Sequence, residues 1–134
     1  MTDRYAKAVE QATDALNAGR FEDALNEALG VLALEPDHAD AILLQAIALS
    51  QLGRAQEASA AFVRAVTLAP SSAKARYNAA VHEYNIGNRD VALRLTNDAL
   101  IIEPGHASAK DLQNRISGDG SYPKLEAPTV APTT

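Results

Sequence analysis

The sequence predicts an all-α fold: a solenoid of three helix-turn-helix units closed by a seventh, capping helix, in a chain of 134 residues. Two observations carry that expectation. Prolines at 36, 70 and 104 and glycines at 19, 53 and 87 recur every 34 residues, and so do alanines at 12, 46 and 80 and at 24, 58 and 92. Self-similarity at one fixed period in this range marks stacked supersecondary units. The second observation is composition. Hydrophobic residues make up 47% of the chain and aromatic residues only 4%, so alanine supplies much of the apolar surface. Alanine is the strongest helix former, and its small side chain lets backbones approach closely. Thin helices in close contact follow from that, rather than a core of large side chains.

The elements follow in order. In the middle unit "ADAILLQAIALSQL" is a helical run that ends at Gly53, where glycine takes a left-handed conformation without a Cβ penalty. "QEASAAFVRAVTL" is the next helix, and Pro70 stops it because proline cannot donate a ladder hydrogen bond. The units run over residues 5–38, 39–72 and 73–106. The fragments "LEPDHADAILL", "LAPSSAKARYN" and "IEPGHASAKDL" repeat one punctuation: helix end, proline stop, cap, helix start. Asp37, Ser71 and Gly105 follow the three prolines and are the expected N-caps. After the third unit, Ala109, Leu112 and Ile116 form an apolar stripe at helical spacing, with Lys110, Gln113, Asn114 and Ser117 on another face. One side buried and one side wet is what a terminal helix needs, and this one is expected at about residues 106–117. Residues 1–117 are read as one repeat domain, and "GDGSYPKLEAPTVAPTT" as an extended tail or linker over 118–134.

These columns resemble the tetratricopeptide repeat family. Counted from Tyr5, Ala39 and Ala73, the family's small, Gly, Ala, small and Pro positions are matched by Ala12, Ala46, Ala80; Gly19, Gly53, Gly87; Ala24, Ala58, Ala92; Val31, Ala65, Ala99; and Pro36, Pro70, Pro104. The family's two large positions are weakly matched, by Ala8, Ile42, Arg76 and by Ala15, Leu49, Glu83, which predicts looser packing inside the first and third units. The resemblance implies a right-handed superhelix whose first helices line a concave groove.

Carried over by register, that groove takes Ala6, Val9, Glu10, Thr13, Leu16 and Asn17 from the first unit. Leu43, Leu44 and Ile47, beside Asp40, Ser50 and Gln51, come from the second. Lys74, Tyr77, Asn78, Val81, Tyr84 and Asn85 come from the third. The floor so implied is apolar and open, and exposed apolar patches of this kind mark interaction sites. Leu44, Tyr77 and Tyr84 are expected to face solvent, and Asn78 and Asn85 to hydrogen-bond an extended peptide backbone. One branch of the family clamps the C-terminal carboxylate of cytosolic chaperones. At its five positions this chain has Val9, Thr13, Leu44, Lys74 and Asn78, of which only Lys74 agrees, so that clamp is not expected.

Chemistry is otherwise sparse. Cysteine is absent, which removes disulfides, zinc-thiolate sites and thiol nucleophiles. His38 and His106 repeat one turn position two units apart and His82 lies within a helix, so turn-filling and packing explain all three, and no metal or cofactor is expected. No phosphate loop, G-x-S-x-G or H-E-x-x-H occurs, and an enzyme is not expected. The first 38 residues hold three bases and eight acids and so carry the whole net charge of −5. Without a basic stripe, nucleic-acid binding is not expected. No stretch reaches the roughly 18 apolar residues of a membrane span, and the N-terminus lacks a signal-peptide core, so a cytoplasmic setting is expected. The function predicted is a protein–protein interaction module binding a peptide or amphipathic helix. A self-associating protein, forming homo-oligomers through its end faces or tail, is the alternative.

Overall fold

The computed structural model describes residues 4–118, so the expectation for the tail lies, from residue 119 on, outside the described residues. Among the described residues there are seven helices and no strand. They fall into two compact units that divide between Leu68 and Ala69.

The first unit contains α1 (Ala6–Asn17), α2 (Phe21–Leu34), α3 (Ala39–Gln51) and α4 (Ala55–Leu68). Sequential neighbours pack together, and α1 also reaches α3, so α3 is touched by all three other helices. The second unit contains α5 (Ala73–Asn85), α6 (Arg89–Ile102) and α7 (Ala107–Ser117), each in contact with the other two.

The periodic residues each do one job. Ala12, Ala46, Ala80, Ala24, Ala58 and Ala92 are all 0% exposed, so both alanine columns lie wholly inside the packing. Gly19, Gly53 and Gly87 have φ of 78°, 79° and 95°. Each closes its hairpin with the same pair of bonds. Around Gly53 its own N–H donates to Ser50 O at 3.1 Å, and the N–H of Arg54 donates to Leu49 O at 2.9 Å. This is the six-to-one, five-to-two pattern that satisfies the last carbonyls of a helix. A Cβ at Gly53 would meet nothing within 4 Å, so only the left-handed backbone forbids a side chain. Gly53→Ala is therefore expected to destabilise by about 1–2 kcal/mol, read as a lower urea midpoint at unchanged slope; an unaltered midpoint would contradict the assignment.

The turns between repeats correct the expected caps. The N–H of His38, Ser72 and His106 donates to the carbonyl of Glu35, Ala69 and Glu103 at 3.1, 3.0 and 3.0 Å. Each proline is thus the second residue of a four-residue turn, a position for which its fixed φ is suited. Asp37, Ser71 and Gly105 fall at the third residue, inside the turn. The caps are the residues after them. His38 Nδ1 accepts from the N–H of Ala41 at 3.2 Å, Ser72 Oγ from Ala75 at 3.0 Å, and His106 Nδ1 from Ala109 at 3.0 Å. The acceptor role requires an imidazole unprotonated at Nδ1.

Polar links hold the third hairpin where large apolar residues were missing. Arg76 donates to Pro70 O at 3.1 Å and lies 3.7 Å from Asp98. Glu83 accepts from Asn88 Nδ2 at 2.7 Å. The last helix docks through Ala109, Leu112 and Ile116, all buried as the stripe predicted. Its open C-terminal carbonyls are met by Arg89, which donates to the carbonyls of Ile116 and Gly118.

Candidate functional site

The residues expected to line the groove separate into two groups. On α3, Leu43, Leu44 and Ile47 are 4%, 3% and 0% exposed. The open apolar floor expected there is not found, and the exposure expected of Leu44 is corrected. The cause is local. Eight of the thirteen residues of α3 are buried, Ile42, Leu43, Leu44, Ile47 and Leu49 among them, and only Asp40 is exposed. A helix so largely apolar leaves little of its surface for water. On α1, Leu16 is buried and Val9 is half-buried.

On α5, spacing puts Lys74, Tyr77, Asn78, Val81, Tyr84 and Asn85 along one side of the helix. Lys74 is exposed, whereas Tyr77, Tyr84 and Asn85 are half-buried. Val81 and Asn78 are each 1% exposed. Asn78 was expected to offer its amide to a ligand. Its Nδ2 instead donates to Lys74 O at 3.0 Å, one turn back on its own helix. Its Oδ1 is buried and has no hydrogen-bond partner among the described residues.

The tyrosines belong partly to the packing of the second unit. Both rest against the cluster of Ala80, Val81, Ala92, Leu112 and Ile116. The Tyr77 ring lies 5.0 Å from that of His106, the cap of α7. Burial pushes the Tyr77 hydroxyl above its ordinary value of 10.0, against a hydrogen bond with Ser108 that lowers it. The folded state thus holds this proton more tightly than the unfolded chain. The resulting stability is fully present below pH ~10 and is lost as pH rises through the raised value. Tyr77→Phe is expected to flatten the alkaline fall in thermal stability; an identical alkaline slope in the variant would contradict that coupling.

The histidines have structural places: His38 and His106 as caps, and His82 1% exposed within α5, its Nε2 3.9 Å from Glu83. Among the described residues no group of three or more potential ligands could hold a metal ion. No helix there is long and apolar enough to cross a membrane.

Sequence reasoning named the end faces only as surfaces for self-association and missed the clefts on the outer side of the first hairpin. Two clefts adjoin there, of about 440 and 340 Å³, and both are bordered by Asn26 and Glu27. Asp14 and Asp23 line the larger, Tyr5, Ala8 and Leu34 the smaller. The available signal was the concentration of acids before residue 38, which reads equally as a solvated surface.

A family model described as tetratricopeptide repeat matches residues 9–73 and again 43–108. Among solved structures, a mutant O-GlcNAc transferase of Thermobaculum terrenum is similar at TM-score 0.76 and 22% identity, over 87% of this chain and 23% of that one. This chain therefore spans about a quarter of that enzyme's length. The first TPR of Spaghetti (RPAP3), bound to the HSP90 peptide SRMEEVD, is similar at TM-score 0.77 and 18% identity, over 85% of this chain and 90% of that one. YrrB, described as a TPR protein with an unusual peptide-binding site, gives 0.74 and 23%, over 84% of this chain and 58% of that one. At these identities the likeness is one of fold. Comparison with curated proteins returned no match.

Proposed function

Since the chain belongs to the tetratricopeptide repeat family, whose fold is a protein–protein interaction module, we propose that it binds a peptide or amphipathic helix of a protein partner on the side of α5 that carries Lys74, Tyr77, Asn78, Val81, Tyr84 and Asn85. Residues 1–117 act in this reading as one repeat domain in a cytoplasmic setting, with 118–134 as its tail or linker.

One observation carries the proposal. Asn78 Oδ1 is a carbonyl oxygen buried on that side of α5 without a donor. Leaving such an acceptor unsatisfied costs about 1–3 kcal/mol, a penalty that folding alone gives no reason to keep. The free chain covers this oxygen, so a ligand N–H reaches it only by displacing neighbouring side chains; the bond then removes the penalty, and binding gains what folding gave up. Lys74 beside it supplies a cation for an acidic or carboxylate group. Tyr77 and Tyr84 supply aromatic area, which is common at binding hot spots. Leu43, Leu44 and Ile47 on α3, and Val81 on α5, are buried, so they support the proposal only from within the packing and drop out of the contact set.

Asn78→Leu separates binding from stability. It replaces a side chain whose buried oxygen is unsatisfied with an apolar one, at the loss of one local bond to Lys74 O, so the thermal midpoint is expected to hold or rise. Capture of the native partner from cell extract is expected to fall at least about tenfold, the loss of one good hydrogen bond or about 1.4 kcal/mol. Tyr84→Ala is expected to lower capture similarly while helical content is kept. Undiminished capture by both variants would refute the α5 site.

A further inference from the structure

We propose a second interaction surface, distinct from α5: the outer face of the first hairpin, on α1 and α2, docks one helix of a partner protein, amphipathic and basic along one edge. The internal repeat supplies the template. Within the first unit, α1 and α2 pack against α3. In the second hairpin Ile42, Ala48, Leu49 and Ala61 are accordingly 0%, 0%, 3% and 6% exposed. One repeat earlier the same positions are Ala8, Asp14, Ala15 and Glu27, with Asp14 and Glu27 exposed. Large apolar groups have become small, and apolar ones acidic. A face altered in this way is unsuited to stacking another apolar hairpin, but it retains the two adjoining clefts.

The two clefts differ in chemistry, and together they specify an amphipathic occupant. In the larger, Arg20 lies 3.6 Å from Asp23, which leaves Asp14 and Glu27 without an ion-pair partner among the described residues. The smaller is floored by Ala8 and Gly30 and bordered by Leu34, which is 71% exposed. Gly30 is the independent sign. It sits inside α2 with no positive φ, and a Cβ there would meet nothing within 4 Å. Glycine inside a helix is less stable than alanine, and no contact among the described residues requires it. A missing side chain on an open helix face lets a second backbone come close. The acids select a basic edge, which disfavours the same acidic first hairpin of a second copy as occupant.

The probe is a capped peptide with the sequence of residues 21–34, the helix that already packs against α3, carrying Glu22→Lys, Asp23→Lys and Glu27→Lys. Titrated into the isotope-labelled chain, it is expected to give saturable amide shifts on α1 and α2. The unmodified acidic peptide is expected to bind at least about tenfold more weakly, and added salt to weaken the basic one. Gly30→Ala is expected to raise the unfolding midpoint of the free chain while weakening the peptide several-fold, a coupling that a purely structural glycine would not show. Tyr84→Ala is expected to leave this binding unchanged, so this site and the α5 site fail separately. Absence of shifts, shifts mapping away from α1 and α2, equal binding of the two peptides, or a Leu34-dependent dimer of the chain by sedimentation would each overturn the proposal.

Discussion

Leu44→Glu is expected to unfold the first unit rather than to mark a binding surface. Leu44 is 3% exposed on a helix in contact with α1, α2 and α4. A carboxylate placed there has no cation on its own helix, since α3 carries no lysine or arginine. An uncompensated buried charge costs about 3–5 kcal/mol, as when a buried ion pair loses one partner. Ordinary domains hold only about 5–15 kcal/mol in total, so most of the margin goes. Circular dichroism during urea titration reads this directly. An unfolding midpoint within experimental error of the parent would mean that the side chain reaches water and that α3 does contribute an open floor.

Phe62→Ala is the second large effect. Phe62 is the largest fully buried side chain among the described residues, 2% exposed on α4. Around it the buried residues of α4 are alanines, Ala58, Ala61 and Ala65. Small neighbours held by helix backbones cannot extend into the space a phenyl ring leaves, so the cavity remains. Truncations of this kind cost about 3–5 kcal/mol, from lost transfer energy and the cavity together. Hydrogen exchange should lose protection across α3 and α4 in the variant. A loss below about 1 kcal/mol would show that the site collapses, and that alanine-rich packing here is more plastic than its burial suggests.

What the sequence disclosed, it disclosed through backbone requirements. Gly53 and Pro70 announce a left-handed residue and a missing donor, and neither depends on distant partners. That is why the helix ends, the alanine crossings and the docking stripe of α7 were all legible. The caps were misplaced by one residue because Asp37 and Ser71 fit the usual preferences, whereas histidine does not. The turn geometry decided the matter: a proline in the second position of a four-residue turn leaves the fourth residue to cap. The open groove was misjudged for a different reason. Assigning Leu43, Leu44 and Ile47 to a floor uses register alone, and register says which way a residue points without saying what covers it. The composition of "AILLQAIAL" held the correction, since no polar stripe runs along it. The orphaned acceptor of Asn78 and the clefts around Glu27 arise from three-dimensional placement and left no trace in periodicity.

Site-specific photo-crosslinking reads whether a partner is engaged from the α5 side, with a benzophenone side chain placed at Tyr84 in one variant and at Ile101 in another. Ile101 is 77% exposed on α6 and outside the proposed contact set. A discrete crosslinked protein is expected from position 84 and none from position 101. Crosslinking from 101 with silence at 84 would contradict it.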